Sequence, residues 1–257
     1  MAVGRVTRGT TNTNRLRRVD RWIATLPALR LAKDPLVVDL GYGASAATPL
    51  ELHSRLARVR HDVEVIGIEI EPERVRVASL SAVPGVSFRV GGFEVPLPEG
   101  RRATVIRAFN VLRQYNEDEV PAAWASMVGR LQPGGVLIEG TCNEIGRVGS
   151  WVDVTAEGPQ SLTISLRLTD LERPSIVAER LPKVLIHRNV PGERIHDLLL
   201  ALDRQWAVHA PLSIFSPAQR WMATVQGLRD LGWPVRGTRA RWKLGELTVD
   251  WDAVAPR

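Results

Sequence analysis

The stretch from Leu36 to Glu51 constrains this chain more than any other. Leu36, Val37, Val38 and Leu40 bracket a single acid, Asp39. Gly41 and Gly43 follow, then small residues, then a helical spacing marked by Leu52 and Leu56. This is the pattern of a buried strand, a tight glycine turn and a helix start. Glycine has no Cβ and accepts positive φ, so such a turn lets backbone approach a ligand closely. It also aims the first free N–H groups of the helix at that ligand. An ordinary strand-to-helix turn reads the same way, so the segments that follow must decide.

They repeat the alternation. Val63–Ile68 reads as a second strand ending in Glu69, and Ile70-Glu71-Pro72 opens a helix with proline in its first turn. In a doubly wound sheet a carboxylate at that strand end lies beside the glycine turn, where it can accept hydrogen bonds from a ribose. Glu71 better suits the helix dipole. Val86–Val90 is a third strand, followed by Gly91-Gly92-Phe93-Glu94. Thr104–Ala108 is a fourth, leading into Phe109-Asn110-Val111-Leu112-Arg113-Gln114-Tyr115. Asn116 caps a helix with an acidic first turn and a buried face of Val120, Trp124, Met127, Val128 and Leu131. After the turn Leu131–Gly135, Val136–Ile138 is a fifth strand ending Glu139-Gly140-Thr141-Cys142. Strands alternating with helices imply a parallel sheet.

Charge separates the two ends of the chain. Residues 1–30 hold seven arginines and one acid, Asp20, which accounts for the whole net charge of +6; the remainder balances 27 basic against 27 acidic groups. A basic arm is indicated rather than a basic surface, which favours local anion binding over extended nucleic-acid contact. A helix is expected over about Asn14–Leu26, capped by Asn12 or Thr13, with Leu16, Val19, Ile23 and Leu26 on one face. Arg8, Asn12, Asn14 or Arg15 could close over a pocket. The lone Cys142 excludes an internal disulfide and fits a reducing compartment. There is no apolar run long enough for a membrane span and no signal-peptide core, so a cytoplasmic protein is expected. Residues 143–257 suggest a hairpin of Trp151–Thr155 with Ser161–Leu168, a strand at Lys183–His187, helices over Arg194–Val208 and Pro217–Leu231, and a last strand at Leu247–Trp251.

Five segments together resemble class I S-adenosylmethionine-dependent methyltransferases, over about Leu36–Cys142. Asp39-Leu40-Gly41-Tyr42-Gly43 is similar to the family's glycine motif, and Glu69 to its ribose acid. Gly91-Gly92-Phe93 stands at the adenine motif, Asn110-Val111-Leu112 after the fourth strand, and Leu131–Gly135 before the fifth. The whole chain is similar to an actinobacterial methyltransferase-like group, a likeness that names no substrate. Two departures stand out. Ala44-Ser45 replaces a common third glycine. Gly92 replaces the usual acid, leaving base recognition to backbone and Phe93. The nicotinamide alternative, G-x-G-x-x-G/A, is met by Gly41–Ala46, but Glu69 comes 28 residues after Gly41, later than the roughly 20 of that fingerprint.

The resemblance implies a Rossmann-like α/β doubly wound sheet, mostly parallel with an antiparallel C-terminal part, plus a basic N-terminal helical arm. Its divisions would be residues 1–34 (arm), 35–145 (cofactor core) and 146–257 (elaboration over the acceptor site). S-adenosyl-L-methionine would be held by Asp39, Gly41, Tyr42, Gly43, Glu69, Ile70, Gly92, Phe93 and Asn110. Methyl transfer is a single in-line displacement that rests on alignment. Strand ends supply the candidates for it: Asn110, Arg113 and Glu144, with Glu139 and Cys142 nearby. Arg113 and Gln114 could hold an anionic group on a small-molecule O or N acceptor. Thr141-Cys142 resembles the nucleophile pair of some RNA cytosine-5 methyltransferases, whose proline-cysteine partner is absent here. His187 and His196 are further candidate bases. No metal-ligand spacing occurs. RNA methylation using the arm, and a catalytically silent S-adenosylmethionine-binding protein, are the alternatives.

Overall fold

The computed structural model describes residues 2–7, 9 and 11–257. Among these residues nine strands form one sheet in the order β3-β2-β1-β4-β5-β6-β7-β9-β8. These are β1 Leu36–Leu40, β2 Glu64–Glu69, β3 Val86–Val90, β4 Ala103–Phe109, β5 Leu131–Cys142, β6 Val148–Thr155, β7 Gly158–Leu166, β8 Val235–Arg236 and β9 Glu246–Asp250. β1 to β5 pair in parallel, and β6, β7, β9 and β8 continue antiparallel. The chain runs outward from β1 to β3, then returns to β4 on the other side of β1. That reversal opens a crevice at the carboxyl ends of β1 and β4, the place where open α/β sheets bind ligands. The fold is Rossmann-like.

Both faces of the sheet are covered, which is why β1 and β4 are buried along their whole length. On one face Val37, Val65, Val105 and Ile138 pack with Val19 and Ile23 of α1 (Arg17–Ile23), Leu29 of α2 (Pro27–Leu31) and Leu52 and Leu56 of α3 (Ala47–Leu56). On the other, Leu36, Val38, Ile106 and Leu137 meet Val120, Ala123 and Met127 of α5 (Val120–Val128). The same cluster continues into α7 (Arg194–Val208) and α8 (Pro217–Asp230) through Leu198, Leu202, Trp221 and Val225. The short α4 (Pro72–Ser79) follows β2. Among the described residues no helix is long and apolar enough to cross a membrane.

One polar cluster interrupts the first face. Arg107 on β4 is fully buried and bridges Asp39 on β1 and Asp20 on α1. It grips Asp39 through two contacts, Nε to Oδ1 at 2.9 Å and Nη2 to Oδ2 at 2.6 Å. Thr48 on α3 donates to Asp39 at 2.7 Å, and Arg55 donates to Asp20 at 2.5 Å. Burial opposes the charge on Arg107, yet the two carboxylates more than offset it and hold its pKa above the ordinary value. The cluster therefore pins the arm helix, the glycine-turn strand and the strand across the switch point to one another.

Several elements differ from the sequence expectation. The first helix begins at Arg17, not Asn14, because Asn14 sits at φ 60 with its N–H bonded to Glu51. The chain then turns again into α2 at Pro27. Asn116 and Glu119 form a reciprocal capping box, as the acidic turn suggested. Lys183–His187 is not a strand: Lys183–Ile186 is one helical turn, α6, entered from Pro182 with Leu185 buried. A short apolar run does not itself distinguish the two. The 131–135 segment is the irregular start of β5 rather than a separate turn.

Arg107→Met is expected to lose about 3–5 kcal/mol, since it leaves buried Asp39 without a cation and Asp20 with Arg55 alone. Urea denaturation of the variant and wild type at neutral pH measures this.

Candidate functional site

The glycine turn is held from behind by Glu69. Gly41 and Gly43 have φ of +70° and +87°. A Cβ on Gly41 would lie 2.6 Å from Val111, and one on Gly43 2.9 Å from the Gly9 carbonyl, so neither position accepts a side chain. The Glu69 carboxylate is fully buried; one oxygen accepts the Gly43 N–H at 2.9 Å and the other the Ile70 N–H at 2.9 Å. Arg74 stands 3.7 Å away. Asp39 borders the crevice, but both its oxygens are engaged by Arg107 and Thr48. Tyr42 contributes its backbone to the turn, while its ring turns inward to meet Phe88 edge-on at 5.5 Å. Burial, then Glu69 and Asp39, push its phenol pKa up.

Across the switch point Asn110 adopts a left-handed φ of 60, rare for a residue with a side chain. Its amide oxygen accepts the Cys142 N–H at 3.0 Å, and its own N–H donates to the Gly140 carbonyl at 2.8 Å. The side chain thus ties the end of β4 to the end of β5, with the buried Cys142 Sγ 3.5 Å from the amide nitrogen. One turn further on, Arg113 donates to the Glu179 carbonyl at 2.9 Å. Burial, and then Arg180, lower its pKa. Arg180 is held by its own backbone: its carbonyl accepts from Thr141 and Ser150, each at 2.6 Å. Its guanidinium has no hydrogen bond or ion pair among the described residues. Arg15 donates to the Asn143 carbonyl at 3.2 Å.

These groups surround a cavity of about 420 Å³ bordered by the glycine turn, Asn110, Arg113, Cys142, Glu144 and Arg180, with Thr7, Gly9, Thr11 and Arg15 of the arm as its roof. Among the described residues the cavity gathers Arg15, Arg113 and Arg180, and its one exposed acid is Glu144, whose carbonyl accepts from Asn12 at 3.3 Å. Of the arm residues expected here, Arg8 lies outside the described residues. The place of Arg180 in this lining is not legible in the sequence, since its segment has no periodicity and is bounded only by Pro174 and Pro182.

The second half of the crevice, over the ends of β2 and β3, is filled by the arm. The Phe93 N–H donates to the Val3 carbonyl at 2.8 Å, and the Val3 N–H donates to Glu94 at 2.8 Å. A Cβ on Gly92 would sit 1.9 Å from the Val3 oxygen. The Arg5 N–H donates to the Tyr115 hydroxyl; its guanidinium lies 4.7 Å from the Tyr115 ring and 2.8 Å from Glu119. The Ala44 N–H, which would be free at the head of α3, donates to the Gly9 carbonyl at 3.0 Å. About 20 Å³ remains between Glu69, Ile70, Gly92, Phe93 and the arm.

Three candidates from the sequence do not reach the cavity. His187 pairs with Lys183 at 3.1 Å and His196 with Asn189 at 3.1 Å. Glu139 points into the opposite face of the sheet, fully buried, with neither oxygen hydrogen-bonded among the described residues.

Neither protein-family models nor curated proteins give a match to this chain. Solved structures do. A SAM-dependent methyltransferase from Leishmania major matches at 12% identity over 49% of this chain and 48% of that one, with a TM-score of 0.36. Human N-acetylserotonin methyltransferase in complex with SAM matches at 22% identity over 49% and 33%, TM-score 0.37. The CcbJ methyltransferase of Streptomyces caelestis matches at 22% over 60% and 66%, TM-score 0.35. The match thus spans about half the length of the Leishmania protein and a third of the human one. The class of fold rests on the strand order and the switch-point crevice of this chain itself.

Glu139 generates a pH prediction. Burial raises its pKa from an ordinary 4.5 to about 8. The folded state therefore holds this proton more tightly than the unfolded one, so the stability it contributes is full below about pH 4.5 and is lost as pH rises towards 8. Glu139→Gln is expected to remove that part of the pH dependence, read as a smaller fall in urea midpoint between about pH 5 and 8 than in wild type.

Proposed function

We propose that this chain is an S-adenosylmethionine-dependent methyltransferase acting at oxygen or nitrogen of a small acceptor that carries an anionic group. One observation carries the reading: at the switch point, a glycine turn backed by a buried carboxylate opens directly onto a cavity where, among the described residues, Arg113 and Arg180 have no carboxylate partner. The residue types suit the cofactor. Gly41, Tyr42 and Gly43 would offer backbone to it, Glu69 and Ile70 would face its ribose, Gly92 and the Phe93 N–H its base, and Asn110 would stand at the junction with the acceptor. Bound there, the cofactor supplies an electrophilic methyl group on sulfur. Asp39 would serve this site from behind, by stiffening the turn through Arg107 and Thr48.

The chain's own work is then alignment. Arg113 and Arg180 orient the acceptor's carboxylate or phosphate, for which planar guanidinium donors are suited. Arg113 is desolvated and repelled by Arg180, so an anion relieves an existing cost at this spot. Glu144, exposed at the rim, is the group available to take a proton from a hydroxyl or amine acceptor. Asn110 fixes the two strand ends between which the acceptor would sit, and most of the rate comes from that positioning.

A second acceptor class, RNA, has an observation in its favour. Beyond the cavity, Arg17 bonds among the described residues to the Asn14 and Ile145 carbonyls, and burial, then Arg21 and Arg147, lower its pKa. Arg21 and Arg147 are exposed. This extends a basic surface from the arm helix to the β5–β6 turn. An RNA acceptor would show a steep fall in affinity with salt, a small anion a shallow one.

Titration calorimetry with S-adenosylhomocysteine is expected to show binding to wild type that is lost in Glu69→Ala, with no heat from NADH. No binding to wild type would remove the methyltransferase reading. Arg180→Ala is expected to leave that binding unchanged while lowering turnover of carboxylate- or phosphate-bearing acceptors about tenfold or more, which scoring S-adenosylhomocysteine release against neutral analogues measures. A binder that releases none with any acceptor is the silent protein instead.

A further inference from the structure

We infer that residues 3–7 of the N-terminal arm form a strap that occupies the nucleoside half of the crevice and must leave for the cofactor to enter, so that cofactor binding is gated by the chain's own backbone. The inference rests on the cofactor reading above. It starts from volume. A ligand pocket needs several hundred Å³. The space left beside Glu69, Ile70 and Phe93 is about 20 Å³, room for about one water and far too little for a nucleoside.

The filling is built rather than loose. The Val3 carbonyl takes the Phe93 N–H, three residues past the end of β3. Gly92 lets that carbonyl approach, since a Cβ there would lie 1.9 Å from it. Gly4, at φ 144, passes the Tyr115 hydroxyl where a Cβ would be 3.1 Å away. Arg5 closes the rim with Glu119 and Tyr115, and Gln114 donates to the Arg5 carbonyl at 3.1 Å. Arg74 donates to the Thr7 carbonyl at 2.9 Å.

The same contacts are weak enough to exchange. They are one backbone–backbone hydrogen bond, a few hydrogen bonds between the arm's backbone and side chains at the rim, and a half-exposed ion pair, each modest against competition from water. By contrast, the chain from Asn14 onward is fixed by Glu51 and by the Arg107–Asp20 cluster. Gly9, at φ +76, lies between the fixed and exchangeable parts. The arm therefore has an anchored root and a releasable tip. A ligand that needs the released state binds more weakly by the fraction of time the tip is away.

The test uses the full chain. Amide hydrogen exchange of the peptide covering residues 2–7 is measured without ligand and with saturating S-adenosylhomocysteine, and calorimetry is run on wild type, Gly4→Val and Arg5→Glu. The expected result is protection of the tip in the free protein, loss of protection on binding, and about tenfold tighter binding by both variants. A tip that exchanges as fast as a free peptide before ligand is added overturns the strap, whatever binds. Unchanged affinity in both variants overturns the gate and leaves the cofactor reading standing. Weaker binding, or protection that increases with ligand, makes the arm a clasp and overturns it too. Absence of binding to all three proteins removes the cofactor reading and the gate with it.

Discussion

Arg107 is the interaction on which the rest depends. A guanidinium buried in the centre of a parallel sheet is tolerated only because two carboxylates meet it, and those come from the two parts of the chain that the site needs fixed. Asp39 is the next-to-last residue of the strand before the glycine turn. Asp20 sits on the helix that carries the arm. With both held to β4, the glycine turn, the Asn110 corner and the root of the arm become one rigid frame around the crevice. Without this cluster α1 would lose its buried polar anchor and dock by its apolar face and the surface hydrogen bonds of Arg17 and Arg18.

On that frame the two halves of the crevice are treated differently. The half beside β4 and β5 stays open and gathers Arg113 and Arg180. The half over β2 and β3 is closed by backbone, through glycines at 4 and 92 that leave room for one strand of chain. Glu69 is satisfied in the closed state by two N–H groups of its own neighbourhood, so the turn keeps its shape whether or not anything else lies there. A preformed turn under a removable cover is the physical basis of the proposed gate.

Much of this was legible in the chain. Local signals were strong where a residue type has one conformational use: glycines at 41 and 43, Asn116 before three acids, Pro217 after Ser216 at a helix start. The β-hairpin of β6 and β7 followed from alternation. Where the signal was a short apolar run, as at Lys183–Ile186, period and composition did not separate strand from helix. The start of the arm helix was misread because Asn14 is bound by Glu51, a partner distant in sequence.

The sequence by itself determined the alternation of strands and helices, the glycine turn and the acid that backs it, because these rest on local periodicity and on the special geometry of glycine. Only the tertiary structure decided that Asp39 is spent on Arg107, that Arg180 joins Arg113, and that Val3 lies against Gly92 and Phe93. Each of those is a contact between segments far apart in the chain, and partner choice across such distances is set by how the sheet packs rather than by any nearby residue.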